Sequence, residues 1–377
     1  MNPEFKRRIF VEFQRVLAIM DKPEPQLHWL QQFQQEIKSL FVFNKPSRPW
    51  HVALVATISM AIPALFGVYF QQMANAILAC VGTMVILYIP RAASVPYRMV
   101  TLSVCSFGIV ACFTVGLVAG FSIYSSAIAL MLIAMLVDFI CRYYSIPAPG
   151  NFFFIFLAAL GCTLPFNLQL IPAHLGLVAL GCMISCLAAF FYSLLIALPE
   201  PAPVTVIEKK NIKFLLQSAV LGLFVGCSYL IAELMGLNKP YWVPISCAAI
   251  MQGATFTLVW QRKIHRVVGT ALGMVLAWCI FSQSLHGWSF AIAIIVLFFI
   301  VELLVVHHYG LAVIFITPLT MLLAEGSASR VLHESLVITR LGDIALGSAI
   351  GFIGGWVMHH PKILATLELR LSKSPRN

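Results

Sequence analysis

The sequence predicts an all-α polytopic membrane protein of about twelve transmembrane helices, arranged as two parallel six-helix repeats with both termini cytoplasmic. Three observations lead there: the composition, the placement of Lys and Arg, and an internal repeat. Of 377 residues, 60% are hydrophobic and 10% are Asp, Glu, Lys or Arg, against about 25% charged in a soluble domain. Only Arg91, Arg98, Asp138 and Arg142 are charged between Pro49 and Pro199. One helical span takes about 20 apolar residues, so that stretch holds several spans. A soluble globular enzyme and a disordered chain are both excluded.

Apolar runs and their breaks give the elements in order. Residues 1–48 form a cytoplasmic segment in which Phe5, Ile9, Phe13, Val16 and Met20 recur at helical spacing among Lys6, Arg7, Arg8, Glu12 and Arg15. Such a basic amphipathic helix lies in the membrane interface or packs on the protein's own cytoplasmic ends. The first membrane repeat, 49–198, carries runs at 50–71, 73–90, 100–119, 121–141, 151–166 and 173–198. A linker, 199–213, separates it from the second repeat, 214–360, with runs at 214–236, 242–260, 267–285, 287–306, 309–324 and 341–359. The run at 309–324 contains Pro318 and reads as a broken or re-entrant helix. Residues 361–377 form a cytoplasmic tail.

Basic residues orient these spans, because cytoplasmic flanks carry the excess. With the N-terminus inside, 21 of the 24 Lys and Arg fall on the inner side, leaving Lys239, Arg330 and Arg340 outside. The ten cysteines lie in or beside apolar stretches and read as small buried residues, not as metal ligands or disulfides.

The halves resemble each other. HLGLVALGCMI at 174–184 aligns with RLGDIALGSAI at 340–350, with six identities in eleven and an offset of 166. AIALMLIAMLVDFI at 127–140 aligns with AIAIIVLFFIVELL at an offset of 164, and Arg98 with Arg266 at 168. Six spans per half make the repeats parallel, about an axis along the membrane normal.

Within the spans, ionisable residues are the candidates for chemistry, since a mid-membrane charge costs about 2.5–3.5 kcal/mol on insertion scales. Asp138 and Glu302 occupy equivalent repeat positions. Arg340 and Asp343 share a helix face, while Leu177 stands where Asp343 has its repeat equivalent. Each acid reads either as a proton carrier or as a helix-positioning ion-pair partner. Arg98 and Arg266 would form a symmetric cationic vestibule. His174, His307, His308 and His333 lie near span ends and read as interfacial. Pairs of glycines at G-x-x-x-G spacing, among them Gly347/Gly351, allow close helix contact. No P-loop, H-E-x-x-H or dinucleotide-binding pattern is present; the expectation is a transporter and not an enzyme, with no cofactor, metal or nucleic-acid partner.

The stretch YWVPISCAAIMQGATFTLVWQRKIHRVVGTALGMVLA, 241–277, resembles the second-half signature of the fusaric-acid-resistance and aromatic acid exporter proteins of bacterial inner membranes. Its elements are Tyr241-Trp242 with Pro244, a basic loop, and Arg266-Val-Val-Gly269-Thr270 with Gly273. Arg340-Leu-Gly-Asp343-x-x-x-Gly347 is similar to the family's Arg-x-x-Asp-x-x-x-Gly element. The same module resembles the membrane part of the plant aluminium-activated malate transporters.

The resemblance implies a multi-pass inner-membrane exporter of weak organic acids, often aromatic carboxylates, driven by proton exchange. In that reading Arg266 and Arg98 attract the anion, with Tyr241 and Trp242 as aromatic contacts or interfacial anchors. Asp343, Glu302 and Asp138, with Arg340, are the proton-coupling candidates. A periplasmic adaptor and a homodimer are left open as partners. The rival functions are a passive organic-anion channel and a non-transporting membrane scaffold.

Overall fold

Seven helices in the computed structural model are long and apolar enough to cross a bilayer: α1 (Trp50–Tyr69), α3 (Val95–Ala119), α4 (Ile123–Tyr143), α6 (Ile171–Leu195), α7 (Asn211–Leu234), α9 (Phe256–Phe281) and α12 (Glu334–His359). Five shorter apolar helices lie between them: α2 (Met73–Gly82), α5 (Phe152–Thr163), α8 (Trp242–Met251), α10 (Trp288–Leu304) and α11 (Tyr309–Glu325). The structure describes residues 42, 48–90, 93–196, 211–253, 255–283, 285–325 and 334–360; the side chains of 211, 324, 325 and 334–338 are excepted. The chain divides into two units at Val42–Phe43, and all the described helices lie in the second. The amphipathic helix expected before residue 48, most of the linker and the 361–377 tail fall outside the described residues.

Each apolar run of the sequence contains a helix, but several boundaries move. The expected break between 260 and 267 lies instead at 252–255. Gly253 ends α8, and the Thr255 side chain accepts a hydrogen bond from the Leu258 amide at 3.3 Å, capping α9. Arg262, Lys263 and Arg266 are therefore inside α9, not in a loop. Arg98 is likewise inside α3, which starts at Val95 with Pro96 in its first turn. Charge marks a loop only where water is the sole available partner, and these side chains have protein partners.

The run at 73–90 divides too. After Gly82 the chain tightens into a 3-10 helix, Thr83–Tyr88. There α6 presses on it: a Cβ on Gly82 would collide with the Val178 carbonyl, and Ser185 Oγ donates to the Thr83 carbonyl at 2.7 Å. By contrast, α11 runs unbroken as an α-helix through Pro318, where a broken helix was expected.

Short helices need not reach both membrane surfaces when protein encloses them, because neighbours satisfy their ends. All ten residues of α8 are buried. The long helices instead turn bulky apolar side chains outward, among them Ile58, Phe107, Leu132, Met183, Leu223, Leu272 and Ile353. An exposed apolar belt of that extent suits hydrocarbon, not water. Seven of the ten cysteines are buried; Cys227 and Cys279 are exposed within that belt, contrary to the expectation of burial throughout.

Helix partners recur across the halves. In the first, α2 packs on α6, and α3 on both α5 and α6; in the second, α8 packs on α12, and α9 on both α11 and α12. Between halves, α4 packs on α7 and α10 on α1. Gly181 of α6 meets the Ala79 carbonyl, and Gly347 of α12 meets the Val243 carbonyl, so closely that neither position has room for a Cβ.

Candidate functional site

Polar side chains inside this apolar bundle collect in four places. The first is at the α4–α7 seam. Asp138, 4% exposed, accepts hydrogen bonds from Arg142 Nε at 2.6 Å, Asn151 Nδ2 at 2.7 Å and Ser218 Oγ at 2.7 Å. From there the network continues. Gln252 Nε2 donates to Asn151 Oδ1 at 2.6 Å, and Arg262 donates to Gln252 Oε1 at 3.4 Å and the Ala249 carbonyl at 3.1 Å. Helices α4, α7 and α9 and the ends of α5 and α8 are thereby joined through side chains. A carboxylate with three donors, one of them a guanidinium, is electrostatically satisfied without a further ligand.

The second is at the α1–α10 side. Glu302 is buried and lies 3.9 Å from Arg48, whose other donors reach the Leu87 and Ala148 carbonyls at 3.0 and 2.9 Å. The two equivalent acids thus both hold inter-half seams, Asp138 with three close donors and Glu302 with one longer ion pair.

The two arginines expected to form a vestibule are buried, and their described bonds run to helices of their own half. Arg98, 4% exposed, donates to Ser193 Oγ at 3.4 Å and lies over the Tyr192 ring. Arg266, 5% exposed, donates to Ser246 Oγ at 3.3 Å, and its Nε meets no acceptor among the described residues. Both cations face the interior, as the vestibule reading requires, but packed side chains surround them instead of an open mouth.

The fourth collection links α8, α11 and α12. The Arg340 guanidinium lies 3.3 Å from the centre of the Trp242 ring, and its Nη2 donates to Thr320 Oγ1 at 2.6 Å. Asp343, one turn further along α12, is 3% exposed, and its Oδ1 accepts from no described group; nor does Trp242 Nε1 find an acceptor. Tyr241 and Trp242 are 6% and 4% exposed, so interfacial anchoring does not describe them. This is where the structure unites sequence candidates: Arg340 meets Trp242, Asp343 follows one turn along α12, and Arg266 bonds Ser246 one turn along α8 from Trp242, while Asp138, Glu302 and Arg98 bond other partners.

Sequence reasoning missed several participants. Asn151, Ser218, Gln252 and Thr320 carry no charge and were passed over, although an amide or hydroxyl in an apolar run is itself a signal. His308 is buried, not interfacial: its ring stacks near His265, with centroids 4.9 Å apart, and its Nδ1 accepts from the Leu311 amide. Among the described residues, no three or more of His, Cys, Asp and Glu gather as a metal ion would need.

Trp242, Ser246, Arg266, Thr320, Arg340 and Asp343 all fall within one stretch that matches a known family model. Residues 227–354 are fusaric acid resistance protein-like. The fusaric acid resistance-like region therefore spans α8 to α11 with the end of α7 and most of α12. The chain is also 33% identical over 140 residues to the uncharacterized membrane protein YvaC of Bacillus subtilis (strain 168), covering 37% of this chain. It spans 22% of that relative's length. No solved structure matches. The chain is a multi-pass membrane protein whose residues 227–354 are similar to fusaric acid resistance proteins, a likeness consistent with transport.

Proposed function

We propose that this protein exports small organic acids, aromatic carboxylates foremost, across a bacterial inner membrane in exchange for protons. The carrying observation is the burial of Arg266, Arg340 and Asp343, each at 5% exposure or less, inside the fusaric acid resistance-like region. Buried charges are expensive in a membrane and persist where they serve a pathway. Arg266 and Arg98 take the role of anion contacts, and Tyr241 and Trp242 of aromatic contacts. Asp343, beside Arg340, is the coupling acid: its Oδ1 is unengaged, whereas Asp138 and Glu302 are occupied at the seams. The matched helix partners of the two halves support a twelve-span arrangement of two parallel repeats, 49–198 and 214–360, with cytoplasmic termini. In this arrangement the short helices contribute partial or tilted spans packed among the long ones.

Neutralising the coupling acid separates an exporter from a passive channel. Asp343→Asn is expected to permit flux down a concentration gradient while abolishing accumulation driven by a pH gradient. Undiminished pH-driven accumulation in that variant would remove Asp343 from the mechanism.

A further inference from the structure

We propose that Lys263 and the aromatic side chains around it form a binding site for the headgroup of an anionic phospholipid, on the membrane-facing side of the α9–α12 contact. The Lys263 ammonium lies 4.3 Å from the centre of the Trp260 ring and 4.1 Å from that of Phe352, and Phe256 packs on Phe352 with centroids 5.3 Å apart. Rings attract the cation without replacing a hydrogen-bond acceptor. Its three N–H groups meet no such acceptor among the described residues. Charge is unbalanced as well. Helix α9 carries Arg262, Lys263 and Arg266 and no Asp or Glu. Arg262 donates to the Ala249 carbonyl and to Gln252, and Arg266 to Ser246, so their described bonds reach neutral partners. Those two turn toward α8, whereas Lys263 turns toward the rings of α9 and α12.

A lipid reaches this position. Phe256, Ile353 and Trp356, around the cluster, are exposed and belong to the apolar belt. With 26 residues α9 is about 39 Å long, against a hydrocarbon core of about 30 Å. One end is apolar through Phe281, whereas Gln261, Arg262 and Lys263 lie near the other, so the excess length stands among the headgroups at the Phe256 end. Lys263 bends back toward that end, its ammonium over the Trp260 ring one turn earlier, as a lysine does when its stem is in hydrocarbon and its charge at the interface. A lipid phosphate accepts from the ammonium there. Beside three cations, an anionic headgroup is favoured over one that carries its own ammonium. The first half has no counterpart: the offset that aligns Arg98 with Arg266 puts Val95 opposite Lys263. Lipid binding at this position holds whichever cargo crosses the membrane.

The test is native mass spectrometry of the full chain, released from detergent after titration with anionic dioleoyl phosphatidylglycerol or zwitterionic dioleoyl phosphatidylcholine. One phosphatidylglycerol is expected to bind about tenfold tighter than phosphatidylcholine, as a hydrogen bond between charged groups implies. Lys263→Gln is expected to erase that preference while leaving phosphatidylcholine binding unchanged, and Lys263→Arg to keep it. Lys213→Gln removes an exposed cation at the start of α7 and controls for surface charge in general; it is expected to retain the wild-type preference. Glycerophosphoglycerol, the same headgroup without acyl chains, is expected not to displace the lipid at equal concentration. Equal binding of the two lipids by the wild type, an unchanged preference in Lys263→Gln, or an equal loss in Lys213→Gln would overturn the proposal. Displacement by glycerophosphoglycerol would overturn it in favour of a soluble phosphodiester.

Discussion

At the scale of single residues, the two seam acids differ more than their equivalent positions suggest. Asp138 engages Arg142, Asn151 and Ser218 at 2.6–2.7 Å, whereas Glu302 holds Arg48 at 3.9 Å. Removing an acceptor leaves buried donors unsatisfied, which costs more than the bond itself contributed. Asp138→Ala is therefore expected to destabilise the protein by about 3 kcal/mol, and Glu302→Gln by under about 1 kcal/mol. Unfolding of the purified variants in a denaturing-detergent titration checks this, and equal losses would contradict it. The sequence disclosed both acids, because charge inside an apolar run is conspicuous. Their partners were invisible: Ser218 is 80 residues from Asp138, and only the packing of α4 on α7 brings them together.

Among the elements, the α8–α12 crossing positions the site. Gly347 rests against the Val243 carbonyl and 2.9 Å from Ser246 Cβ, measured from where its own Cβ would stand. Arg340 reaches the Trp242 ring only because the axes come this close. A side chain at Gly347 has backbone to displace, and overpacking of that kind costs about 1–3 kcal/mol or more. Gly347→Val is expected to abolish acid binding and lower the melting temperature in detergent. Gly176→Val, at an α6 position with open space around it, is expected to change neither; if Gly347→Val behaves like Gly176→Val, the crossing does not position the site. Helix existence was legible from apolar run length, and every run contains one. Boundaries were not, for a physical reason. Breaks were assigned to charges, yet Arg98 and Arg266 are accommodated inside helices by Ser193 and Ser246, while the real turn at 252–255 is set by Gly253 and Thr255. The 3-10 segment after Gly82 depends on pressure from α6, which local sequence does not encode.

For the whole molecule, the transporter reading proposed above makes the seams α4–α7 and α10–α1 the places where one half moves against the other in alternating access. Arginine placement predicts which face they meet. With cytoplasmic termini, Asn238, in the turn between α7 and α8, lies outside, and Ser374, near the end of the chain, lies inside. A membrane-impermeant maleimide applied to whole cells is expected to label Asn238→Cys and not Ser374→Cys; the reverse pattern would invert the topology. The duplication is proposed from offsets between 164 and 168 at three separate places, and the helix partners that recur in the two halves are what supports it. What the sequence could not convey is that five of the twelve described helices are short and that one of them, α8, is wholly enclosed, since burial by neighbours leaves no trace in hydropathy.

The central claim is most directly tested by purified protein in proteoliposomes, given labelled hydroxybenzoate and an imposed pH gradient. Accumulation above equilibrium that collapses when the gradient is dissipated, and is lost in Arg266→Ala with normal membrane insertion, is the predicted result. Absence of any acid flux, or flux unchanged in Arg266→Ala, would contradict it.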